Sequence, residues 1–218
     1  MLLISNNQVN RSFRSTLPLI ALVALSAWLM PTVLAQRVTA PPLLTPDAVQ
    51  PLERKNGYVL LQLDVSGVAP SMEIAQISQS ASRMPAADAS VPRGAKRMQI
   101  DLTDRKKGLY LMQLAPGWYQ ITQVNAPYYN LPFQVDTGGE VRWRFVVQHA
   151  KTSYAGLLRI NKERSRDSVN VTFLNRIATA HDDIRDQLGP VLAAAPLVMG
   201  RGLRDDFLID FRRTEDAP

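Results

Sequence analysis

Apolar and polar residues alternate with a period of two in segment after segment of this chain, and no other feature limits its fold so strongly. In GYVLLQLDVSG (57–67), Val59, Leu61, Leu63 and Val65 fall on one face. In RMQIDL (97–102), Met98, Ile100 and Leu102 alternate with Arg97, Gln99 and Asp101. In VRWRFVVQ (141–148), Val141, Trp143, Phe145 and Val147 share one face, with Arg142 and Arg144 on the other. In SVNVTFL (168–174), Val169, Val171 and Phe173 alternate with Asn170 and Thr172. One wet face and one apolar face at this period mark antiparallel strands packed on one side. MEIAQIS (72–78), LYLMQL (109–114), WYQITQV (118–124), PFQV (132–135) and YAGLLRI (154–160) carry the pattern more weakly. Together these segments predict about nine short strands.

Between the strands, TDRKKG (103–108) and DTGGE (136–140) are polar turns with glycine, and NKERSRDS (161–168) is a charged connection. Residues 78–96 form a long, small and polar loop with no aromatic to dock it. Such a loop is functional or disordered, and disorder is the expectation here. After the strands, Ile177, Ala180, Ile184 and Leu188 draw an apolar stripe on a helix that Gly189–Pro190 is expected to stop. VLAAAPLVMG (191–200) is read as a second short helical piece and FLIDF (207–211) as an edge strand or tail. The fold expected is an all-β antiparallel sandwich over residues 57–176, with a helical C-terminal segment over 177–218.

The first 35 residues read as a secretory signal. Arg11 and Arg14 precede an apolar run from Leu17 to Met30, and Val33 and Ala35 suit a signal peptidase cutting before Gln36. About 14 apolar residues fall short of the roughly 20 that span a bilayer, so no anchor is expected after cleavage. Cleavage would leave 183 of the 218 residues, and the loss of two arginines would take the formal charge from +6 to +4. That mild excess permits attraction to anionic envelope polymers and is too sparse for nucleic acid. The chain has no cysteine, so an exported form holds together by its core alone. These traits suggest the periplasm or secretion. Residues 36–56 carry Pro41, Pro42, Pro46 and Pro51 and read as an extended arm, ordered only if it lies on something, and otherwise a flexible leader.

In LAPGWYQI (114–121), Ala115-Pro116-Gly117-Trp118 fits a type II turn, with Pro116 presetting φ and Gly117 taking φ > 0. One glycine feeding a strand is no phosphate loop, which needs several feeding a helix. The strands on either side are expected to pair or to hand over between sheets. This stretch, with the later Val141-Arg142-Trp143-Arg144-Phe145 and Tyr154-Ala155-Gly156, resembles carboxypeptidase-regulatory-like and prealbumin-like β-sandwiches. It is similar also to a group of bacterial periplasmic domains of unknown function. The resemblance covers about residues 109–160, implies the sandwich fold, of prealbumin-like or immunoglobulin-like type, and hands over no catalytic residue.

No thiol chemistry is open to a cysteine-free chain. His149 and His181 lack the spacing of a metal pair, and no G-x-S-x-G or S-x-x-K occurs after residue 35. No catalytic residue, metal site or cofactor is therefore expected. Two features could bind. Tyr128 and Tyr129, in the Pro-bounded NAPYYNLP (125–132), either offer flat surface to a peptide or glycan ring or plug an open end of the sandwich. Arg142 and Arg144 either present guanidinium forks to an anionic partner or form a solvated face that keeps the sheet from pairing. The function expected is a non-catalytic interaction module of the periplasm or cell envelope, whose partner is another envelope protein or an anionic envelope polymer. The alternatives are an enzyme with a dispersed carboxylate or metal site, and an accessory structural subunit that docks through residues 36–56.

Overall fold

The structure, a computed structural model, describes residues 37–201 apart from 67, 128–131 and 164–167. The proposed signal (1–35), the segment FLIDF (207–211), Tyr128 and Tyr129 lie outside the described residues. Eleven strands and one long helix are described. The strands are β1 (Arg37–Thr39), β2 (Gly57–Val65), β3 (Ser71–Ser78), β4 (Arg97–Asp101), β5 (Gly108–Leu114), β6 (Gly117–Asn125), β7 (Gln134–Asp136), β8 (Arg144–Val147), β9 (Thr152–Glu163), β10 (Ser168–Leu174) and β11 (Leu197–Met199), and the helix is α1 (Ile177–Ala194). All nine segments that alternate in the sequence contain strands. The two additions, β1 and β11, are three residues each, too short to display a period.

The fold is mostly β, in two sheets. The first runs β1-β4-β3-β6, with β7 and β8 end to end along the other edge of β6. The second runs β10-β9-β2-β5, with β11 sharing the far edge of β9 with β10. The expectation of a purely antiparallel sandwich needs correction: β1–β4, β2–β9 and β11–β9 are parallel pairs. Alternation in a single strand reports which face is buried and is silent on the direction of its neighbours. The β2–β9 register slips between Leu60 and Leu61, where Gly156 takes φ 139°. A Cβ at Gly156 would lie 2.8 Å from the Leu174 carbonyl oxygen, so this bulge requires glycine.

The inward faces meet as the alternation dictates. Val59, Leu61 and Leu63 of β2 share one buried cluster with Ile74, Ile121, Phe145 and Val147 of the first sheet. Trp143, in the turn before β8, stacks on Phe173 of β10 at 5.5 Å, and Tyr119 stacks on Phe145 at 5.6 Å. The second sheet is buried on its outer face as well. Tyr58, Leu60, Leu109, Leu111 and Tyr154 pack against Ala180, Ile184 and Leu188 of α1. This third layer explains why YVLL (58–61) is unbroken by a polar residue: a strand covered on both sides has no wet face. Gly189–Pro190 does not stop the helix, which continues through Pro190 to Ala194. Proline deletes one backbone hydrogen bond, but Val191 and Leu192 beyond it pack on the same outer cluster, and that burial holds the last turn. The chain then turns into β11 instead of a second helical piece.

The proline-rich arm is packed, in contrast to a flexible leader. Its β1 extends the first sheet beside β4, Leu43 is buried in the main core, and Leu44 exchanges two backbone hydrogen bonds of 2.8 Å with Leu111 of β5. Further on, Val49 and Leu52 pack against the helix-side cluster. The arm thus straps the edge of one sheet to the edge of the other, where unpaired backbone would otherwise face water.

Candidate functional site

Of the four residues singled out as binding candidates, Tyr128 and Tyr129 lie outside the described residues, and the two arginines part company. Residues 141–143 form a 3-10 turn and not the start of a strand, so Arg142 and Arg144 do not stand side by side on a sheet face. Arg142 projects into solvent and pairs with Glu140. Arg144 is 2% exposed. Its Nε donates to Gln120 Oε1 at 2.9 Å, Nη1 to the Ala86 carbonyl at 2.7 Å, and Nη2 to the carbonyls of Ala89 at 2.6 Å and Ala87 at 3.2 Å. Neither reading of the pair, an anion platform or a solvated face, holds for Arg144, whose guanidinium is engaged inside the protein. The same bonds hold the 78–96 loop against the sheet, where the sequence pointed to disorder. Both histidines lie where a surface role places them: His149 bonds the Arg54 carbonyl at 2.9 Å, and the exposed His181 sits on α1 beside Asp182.

A more suitable concavity opens where the two sheets and the arm meet. It measures about 410 Å³ and draws its walls from β1 and the rest of the arm, from β4, and from the β5–β6 crossing. Met98, Leu114 and Tyr119 give it an apolar lining, with Val38 and Leu44 opposite on the arm. The LAPGWYQI stretch builds one wall. β5 and β6 belong to different sheets, so Pro116–Gly117 is a crossing between sheets rather than a hairpin turn. Gly117 has φ 144°, and a Cβ there would meet the Ser78 carbonyl oxygen at 2.3 Å. Tyr119 donates its hydroxyl to the Ala115 carbonyl at 2.9 Å, and Gln76 Nε2 reaches the Pro116 carbonyl at 3.2 Å.

Polar side chains fix the opposite wall. Gln113 Nε2 donates to the Pro51 carbonyl at 2.9 Å, and its Oε1 accepts from the Glu53 N–H at 2.9 Å. Asn56 donates to the Glu53 carboxylate at 2.9 Å. Lys96, Gln50 and Glu53 are left around the mouth, one cation and one anion with an amide. Burial pushes the Tyr119 hydroxyl up to about 12, so it stays a neutral hydrogen-bond donor at physiological pH. An apolar floor with a few fixed polar groups is the arrangement of a binding site. Among the described residues no three His, Asp or Glu side chains gather as metal ligands. Nothing in the sequence marked Lys96, Met98 and Gln113 as lining a site, because their neighbourhood exists only once the arm has crossed from one sheet to the other.

No family model, curated protein or solved structure matches the chain. Among the described residues no helix is long and apolar enough to cross a membrane.

Proposed function

We propose that this protein is an exported binding module of the cell envelope, a sandwich of the prealbumin-like type, that takes an extended segment of another envelope protein into the groove beneath its arm. The observation that carries this reading is the position of the groove beside β1, the edge strand of the first sheet. An extended peptide there can meet backbone groups along the free side of a strand and set alternate side chains onto Met98, Leu114 and Tyr119. The charges at the mouth, Lys96 and Glu53, would fix its direction. An anionic polymer has less to hold it, because Arg144 is spent on the loop and Arg142 is paired with Glu140.

A photoreactive residue in place of Lys96, in the processed protein within its own envelope, tests the reading. Cross-links should concentrate on one short segment of one envelope protein. Cross-linking no richer than from the same group at Asp183, on the exposed face of α1, would dismiss it.

A further inference from the structure

A second cavity, of about 420 Å³, lies on the outer face of the first sheet, away from the groove. Asp88 and Ser90 of the 78–96 loop form one wall, Gln134 and Asp136 of β7 the other, and Thr122 and Gln123 the floor. The turn at Gly138–Gly139 closes one end.

Beneath the cavity the sheet carries polar residues that a sandwich face does not need. Gln120 and Thr137 are each 1% exposed, beside the buried Arg144. Gln120 Nε2 donates to the Thr137 carbonyl at 2.7 Å and to the Glu140 carbonyl at 3.1 Å, while its Oε1 accepts from Arg144. Arg144 in turn holds the carbonyls of Ala86, Ala87 and Ala89. One wall of the cavity is therefore tied to the other through a buried Gln120–Arg144 bridge. Burying a guanidinium with no carboxylate against it is costly, and here the bridge sets the spacing of two otherwise irregular segments.

The lining limits what fits. Arg97, which also borders the cavity, is neutralised by Glu73 at 2.7 Å, and Glu73 accepts from Thr122 Oγ1 at 2.7 Å as well. The charges left are carboxylates, Asp88 and Asp136, which repel an anion. The side chains of Asp88, Ser90 and Gln134 make no hydrogen bond among the described residues. Two carboxylates are too few for a calcium cage. Carboxylate, amide and hydroxyl groups facing one another across a fixed gap suit a neutral ligand that presents donors and acceptors in pairs. From this we infer a saccharide site: Asp88 and Asp136 accept from ring hydroxyls, and Gln134 and Ser90 bond to them in both senses.

Titration of the processed protein with a panel of neutral mono- and oligosaccharides tests this. At least one should bind, and Asp88→Asn and Gln134→Ala should each weaken it about tenfold with an unchanged melting temperature. Arg144→Lys should weaken it too and speed tryptic cleavage at Arg83 and Arg93, because an ammonium cannot span three carbonyls and an amide. Lys96→Ala, in the groove, should leave saccharide binding unchanged. Failure of every saccharide to bind, or binding indifferent to Asp88→Asn and Gln134→Ala, overturns the inference. Those two surface variants decide the matter even where Arg144→Lys does not fold.

Discussion

Arg144 shows how one side chain reverses the meaning of a sequence pattern. Its place between Trp143 and Phe145 assigns it to the outer face, and the structure keeps it there, on the face opposite the core. That face is itself covered, by a loop whose carbonyls need donors. Arg144→Met would take the donor from the Ala86, Ala87 and Ala89 carbonyls and leave the buried Gln120 amide oxygen without its partner, and should lower the unfolding free energy in urea by about 3 kcal/mol. Tyr119 provides a pH test. Its ionisation is displaced upward by burial to about 12, against 10.0 for an exposed tyrosine. A group whose folded-state value is raised contributes stability in full below the unfolded value and loses it as pH rises toward the folded one. Stability should hold up to about pH 10 and decline between 10 and 12. Tyr119→Phe should remove the Tyr119 part of that decline and leave the part due to Tyr58, whose hydroxyl burial also pushes up, at the cost of about 1 kcal/mol at neutral pH for the lost bond to Ala115.

At the scale of elements, the arm and the helix depart furthest from their sequence readings, for a shared reason. Each is specified by what it lies on. Four prolines make residues 36–56 extended but do not say whether the segment floats, whereas the burial of Leu43 at 4% exposure makes it part of the core. Leu43→Ala should cost about 2–5 kcal/mol in chemical unfolding, a loss that a flexible leader would not show. The helix was legible from its stripe of Ile177, Ala180, Ile184 and Leu188, and its end was not, because sheet contacts on the far side of Pro190 outweigh the missing hydrogen bond. Ile184 is fully buried between helix and sheet. Ile184→Ala should destabilise by about 2–5 kcal/mol while leaving the far-ultraviolet β signal of the folded state intact. The strands were legible because each carries its own period. Their partners were not, because pairing joins residues as far apart as Tyr58 and Thr152.

At the scale of the whole molecule, the described residues place two sheets and a helix in three layers, and the arm straps the edges of the two sheets together. The groove at the seam and the cavity on the outer face, among the concavities of the described residues, each draw their walls from widely separated stretches of the chain. The export proposal belongs at this scale too: expressed from Met1 in a bacterial host, the protein should be recovered with Gln36 as its first residue by N-terminal sequencing. A product that keeps residues 1–35 would remove the envelope from its function. Local pattern alone marks the nine alternating strands, the helix that follows them and the polar turns, because a period of two or of 3.6 is a local property that burial reads directly. Long-range packing sets the parallel pairings, the docking of the arm, the order of the 78–96 loop and the fate of Arg144. Each of these depends on which distant backbone groups are left needing a partner, and that is settled only when the layers have closed.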